Sequence, residues 1–255
     1  MNILNMKIIK IDVLTIYFLL LLFLCGYIKV ALIIFFIVLV HELGHVLVAL
    51  IFRFQVLKVV IYPFGGMTYL KKDINTDIYK DLILASGGIL MQLALFGVLK
   101  LLPFSIHTLE LFYKYNITIL VFNLLPIIPL DGSYFVKGVL NYFFSFRVSY
   151  FIYAFLSILF SVIYIFSNYW LSFNNYLLVI LFVFKTYAAV KDYKYIQNKF
   201  YLERYLNDYS FRKISTKKGD IGILKLGVYQ YFLEENRVKG EKRKLMERFD
   251  KEGIV

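Results

Sequence analysis

The stretch Val40-His41-Glu42-Leu43-Gly44-His45-Val46 decides how the rest of the chain is read. It places two imidazoles and a carboxylate inside a run, Val30 to Phe52, whose other residues are apolar apart from one glycine. On a helix, residues four apart point about 40° from each other, so His41 and His45 reach toward one ion, while Glu42 stands about 100° round from His41. This is the H-E-x-x-H zinc pattern, with the glutamate placed to work on a metal-activated water. Ionisable groups at bilayer depth cost roughly 2.5 to 3.5 kcal/mol each on insertion scales, and are retained mainly where they perform a function. The competing reading, a pair of satisfied core histidines in a soluble helix, needs an amphipathic segment, and this one has no polar face.

Composition agrees with a membrane setting. Of 255 residues, 60% are hydrophobic and 19% aromatic, with mean hydropathy +0.70; soluble domains are about 45 to 50% apolar. The net charge of +12 is distributed in a way that argues against a nucleic-acid partner. Residues 1–190 hold 13 Lys/Arg and 7 Asp/Glu, mostly in the gaps between apolar runs, and residues 191–255 hold 16 and 10. Basic loops beside apolar spans are a topology signal. One cysteine, Cys25, excludes an internal disulfide and a cysteine zinc site. Leu24 precedes it where a lipoprotein signal has a small residue, so a retained first span is expected.

The expected fold is an all-α polytopic membrane protein of about six spans. They are drawn at Ile11–Cys25, Val30–Phe52, Leu82–Leu102, Leu109–Val136 (broken by Pro126 and Pro129), Val148–Phe166 and Leu171–Val190. Residues 1–190 would form the membrane-embedded domain and 191–255 a basic cytoplasmic tail. Between the second and third spans, Val56 to Tyr69 is β-branched and aromatic around Pro63-Phe64-Gly65-Gly66, and predicts a hairpin or re-entrant loop dipping back toward the site. The tail shows no alternating strands, and Phe232 to Asp250 reads as a charged surface helix. The Lys/Arg count in the gaps places both termini in the cytoplasm.

A catalytic zinc takes three protein ligands and leaves one position for water. In the spans after the motif the buried-looking acid is Asp131, in Asn123-Leu124-Leu125-Pro126-Ile127-Ile128-Pro129-Leu130-Asp131-Gly132. A helix cap or an Asp-Gly turn is the alternative for it. The prolines free backbone groups that would shape a polar pocket. Asn123 offers an amide to a substrate carbonyl or an oxyanion, or else joins helices. His107 falls in a short loop and reads as exposed.

His41-Glu42-Leu43-Gly44-His45, Pro63-Phe64-Gly65-Gly66, and Asn123 through Leu130-Asp131-Gly132, in that order, resemble the site-2 protease family of intramembrane zinc metalloproteases, and in particular its sporulation branch. The resemblance runs from about Leu32 to Leu202-Glu203-Arg204-Tyr205. It implies one zinc held by His41, His45 and Asp131, with Glu42 as general base and acid. Asn123, Pro126, Pro129, Phe64, Gly65 and Gly66 would position substrate. It also implies a location in the membrane around the forespore on the mother-cell side, a membrane-associated pro-sigma factor (pro-sigma-K) as substrate, and inhibitory membrane-protein partners. The chain departs from the family in having Gly87-Gly88 where Gly-Pro is common, and in a tail too short for a CBS pair, which puts ATP control in doubt. A general membrane-stress protease acting on an anti-sigma factor, a polytopic metal transporter and a silent scaffold are the competing readings. The transporter reading expects inverted repeats, and neither motif recurs.

Overall fold

In the computed structural model, residues 9–62, 65–166, 173–211, 213–234 and 237–251 are described. The chain divides into two compact units, residues 1–72 with 83–125 and residues 73–82 with 126–255.

The first unit contains β1 (Ile9–Ile11), α1 (Val13–Leu24), α2 (Ile28–Ile51), β2 (Gln55–Tyr62), β3 (Gly65–Lys71), most of α3 (Ile78–Leu99) and α4 (Ile106–Leu124). Its sheet runs β1-β2-β3, with β1 parallel and β3 antiparallel to β2. The expected hairpin is therefore present, widened by a strand that three residues, Ile9-Lys10-Ile11, are too few to announce. Asp12 starts α1, its carboxylate accepting from the Leu14 amide at 3.0 Å. At the end of α2, Arg53 adopts φ 58, and the Phe54 amide donates to the Ala49 carbonyl at 2.8 Å. That is a Schellman stop with arginine in the left-handed position that usually falls to glycine. It ends α2 two turns beyond His45 and turns the chain into β2. Against α2, α3 packs at its closest where Gly44 meets Gly87: a Cβ on Gly44 would lie 2.3 Å from the Gly87 carbonyl oxygen, so only glycine permits the approach.

The second unit contains α5 (Asp131–Phe143), α6 (Phe146–Phe166), α7 (Phe173–Lys191), α8 (Tyr193–Leu206), β4 (Lys213–Lys218), a short 3-10 turn (Ile221–Ile223), β5 (Val228–Glu234), β6 (Arg237–Gly240) and α9 (Glu241–Lys251). The expected proline-broken fourth span is thus two helices, α4 and α5, with Pro126 and Pro129 in the link. That link is anchored where the Ile128 amide donates to Ser157 Oγ of α6 at 3.0 Å.

The tail differs from expectation. It holds a β4-β5-β6 sheet, β4 parallel and β6 antiparallel to β5, and the helix begins only at Glu241. The alternation of β5 is hidden because its outward residues Tyr231 and Leu233 are apolar, while the inward face carries a polar residue, Gln230, beside Phe232. Phe232, Leu224, Leu226, Leu245 and Phe249 close a core with Phe200 of α8 and Phe146 of α6, whose rings stack at 4.3 Å.

Arg204 is fully buried in that unit. It donates to Glu241 at 3.1 Å, to Asn75 Oδ1 at 2.9 Å and to the Lys225 and Val228 carbonyls, between the rings of Phe200 and Phe211. Glu203 accepts the amides of Ile74 and Asn75 at 2.7 and 3.2 Å. Burial lowers the Arg204 pKa and raises that of Glu241, each against the pull of its partner. An Arg204→Met chain leaves the Glu241 carboxylate buried and unmatched, and should lose about 3 to 5 kcal/mol. Faster proteolysis of residues 193–251 is the expected sign, and adding Glu241→Leu should recover much of the loss.

Among the described residues three helices are long and apolar enough to cross a membrane: α2, α3 and α6. Helix α1, with 12 residues, is shorter. Helices occupy the positions of the expected first, fourth and sixth spans as well, but those fall short on length or apolarity.

Candidate metal centre

His41, Glu42 and His45 lie in the later half of α2, all three buried. The imidazoles are held from behind. His41 Nδ1 bonds Gln92 Oε1 of α3 at 2.9 Å. The Gln92 amide nitrogen donates to Asn116 Oδ1 of α4 at 3.2 Å, and Asn116 Nδ2 donates to the Gln92 carbonyl at 3.0 Å. His45 Nδ1 bonds the Leu84 carbonyl oxygen at 2.8 Å. A carbonyl only accepts, so His45 carries its proton on Nδ1; Gln92, with its NH2 turned to Asn116, demands the same of His41. Both Nε2 atoms then present lone pairs, and they face each other across 3.2 Å.

Two ring nitrogens so arranged are suited to share one cation. Nitrogens at about 2.0 to 2.1 Å from one tetrahedral zinc stand about 3.3 Å apart, so the spacing fits the ion. His41 and His45 belong to the first unit, and Asp131, the third expected ligand, belongs to the second. Asp131 opens α5, with Leu130 at the N-cap position, so it is not the cap of that helix. Two imidazoles and a carboxylate are a zinc donor set.

Glu42 is fixed by the hairpin. Thr68 of β3 donates to Glu42 Oε2 at 2.7 Å, and a Cβ on Gly66 would fall 2.3 Å from Glu42 Cγ. The expected approach of the Val56–Tyr69 segment to the site is therefore made by β3, through Gly66 and Thr68. Gly65 sits at φ 149, which favours glycine. Phe64 lies outside the described residues. Asn123 stands half-buried in the last turn of α4. His107 is exposed, as expected, but in the first turn of α4 and not a loop.

Reading the sequence missed Gln92, Asn116, Thr68 and the Leu84 carbonyl. The first two carry a signal, since amides inside apolar helices need partners; Asn123 drew that inference instead. Outer hydrogen bonds of this kind fix tautomer and ring direction. A Gln92→Leu chain should bind zinc about 10- to 100-fold more weakly, measured by competition with a chromophoric chelator.

The chain matches the sequence profile of peptidase family M50 over residues 29–105. Its fold is that of the site-2 protease from Methanocaldococcus jannaschii, with TM-score 0.53 at 22% identity over 73% of this chain and 91% of that one. Stage IV sporulation protein FB of Bacillus subtilis (strain 168) is 32% identical over 161 residues, 59% of this chain and 55% of the relative. The chain thus spans little more than half the length of that curated relative.

Proposed function

We propose that this chain is an intramembrane zinc endopeptidase cutting a membrane-associated protein, with His41, His45 and Asp131 as ligands and Glu42 as general base and acid. The observation that carries the reading is the pair of Nε2 atoms facing each other at 3.2 Å, both Nδ1 atoms engaged, with the Glu42 carboxylate one residue away on the same helix. Zinc, when bound, supplies a polarising charge that lowers the pKa of a water toward about 7.

Glu42 takes the proton of the attacking water and returns it to the leaving amine, its carboxylate aimed by Thr68. A substrate helix has its backbone groups paired internally and must unwind before attack. Among the described residues β3 pairs on one side only, with β2, so its other edge is suited to take an extended substrate strand beside Glu42. Gly65 and Gly66 would line that strand. Asn123 would donate to the oxyanion, and Pro126 and Pro129 would keep the segment before Asp131 open to substrate.

The substrate we infer is a sporulation pro-sigma factor, pro-sigma-K, in the membrane around the forespore. The six-span topology puts both termini in the cytoplasm of the mother cell, with inhibitory membrane proteins as partners. The name of the Bacillus relative supports the sporulation setting. In the test, chain reconstituted in vesicles receives membrane-tethered pro-sigma-K or a membrane-anchored anti-sigma factor. Cleavage of the first supports the proposal. Cleavage of the second alone favours a stress protease, and zinc accumulation inside the vesicles without cleavage favours a transporter.

A further inference from the structure

The tail sheet is bonded to the point where a candidate span begins. Phe146, the first residue of α6, donates its amide to the Leu224 carbonyl at 2.9 Å, and Lys225 Nζ donates to the Phe143 carbonyl. Because α6 is long and apolar enough to cross a membrane, residues 143–146 stand where hydrocarbon gives way to water. Tyr142, Phe143 and Phe144, at the end of α5, are 56%, 60% and 43% exposed. Exposed aromatic side chains at that depth make an interfacial belt.

Cations gather on the same spot. Lys213 of β4 lies with Nζ 5.1 Å from the Tyr142 ring centroid. Burial pushes the Lys225 pKa down, and repulsion from Lys217 pushes it further. None of these three lysines forms an ion pair among the described residues. Other lysines of the unit have counter-ions: Lys239 meets Glu234 and Glu247, Lys242 meets Asp208, and Lys244 meets Glu234. Glu234, between two of those lysines, is pulled down to a pKa of about 2. Positive charge without counter-charge is therefore concentrated beside the aromatic triplet.

We propose that Lys213, Lys217 and Lys225, with Tyr142, Phe143 and Phe144, form a docking surface for the phosphate groups of anionic lipids in the membrane that α6 enters. Lysines match a lipid phosphate as point charges, and the rings match the glycerol and upper acyl region, an apolar layer that no free anion brings. An acidic protein would satisfy the lysines and leave the rings in a layer occupied by lipid. The surface does not depend on the protease reading.

Native mass spectrometry of the full chain in detergent, with equimolar phosphatidylglycerol and phosphatidylcholine, tests this. The expected result is at least about fivefold preferential retention of phosphatidylglycerol, the factor one lysine supplies near an anionic surface. Lys213→Gln/Lys217→Gln/Lys225→Gln should bring retention to parity, whereas Lys239→Gln/Lys242→Gln/Arg243→Gln, which removes equal charge, should keep the preference. Parity in the unaltered chain, undiminished preference in the first variant, or equal loss in the second would overturn the proposal. So would displacement of the lipid by millimolar inorganic phosphate, which marks a free-anion site, or by polyglutamate, which marks a protein-docking face.

Discussion

A Glu42→Gln chain should bind zinc as tightly as the unaltered one and cleave nothing measurable. Glutamine keeps the length and shape of the side chain and can still accept the Thr68 hydroxyl, so the hairpin should stay against α2. The two imidazoles and their supports at Gln92 and Leu84 are untouched. What is lost is a group able to take and return a proton, and general acid–base catalysis contributes roughly 10²- to 10⁴-fold to such reactions. Metal content by atomic emission, together with cleavage of a membrane-tethered substrate, separates the two roles. Turnover within tenfold of the unaltered chain would remove Glu42 from the mechanism. Loss of zinc along with activity would make Glu42 a ligand.

Gly88→Ala should be nearly as damaging, by another route. A Cβ there would stand 2.4 to 2.6 Å from Cε1, Nε2 and Nδ1 of His41, nearer than real Cβ contacts come. Neither side can yield readily. The ring is tied to Gln92, itself locked to Asn116, and α3 is held to α2 by the direct contact of Gly44 with Gly87. His41 must swing away, and zinc affinity should fall by more than the roughly 10- to 100-fold that loss of an outer hydrogen bond costs. Gly97→Ala on the same helix is the control, because its Cβ would meet nothing within 4 Å. If the two alanine variants titrate zinc alike, the space beside His41 is not what orients it.

What could be read from the residues alone follows from what announces itself locally. His41, Glu42 and His45 are conspicuous because charge in an apolar helix needs a reason, and the hairpin is conspicuous because β-branched residues flank Pro63-Phe64-Gly65-Gly66. Thr68 was invisible, since one hydroxyl on a strand has no preferred partner until a tertiary fold supplies Glu42. Gln92 and Asn116 were legible as amides in need of company, but which amide meets which follows from the rotation of α3 and α4, and no spacing encodes that. The tail misled for a different reason. The lysines of β4 and the outward aromatics of β5 erase the period of two that marks a strand, so the only pattern left visible was the helical one of α9.

The amides of Ile74 and Asn75, three and four residues beyond the strand that touches Glu42, are captured by a carboxylate near residue 200. During synthesis that carboxylate emerges long after the helix that carries His41 and His45 has been made. The far end of the hairpin is therefore secured only after 128 further residues have been made, and a chain released before Glu203 would carry every proposed ligand yet leave the segment that follows β3 untied.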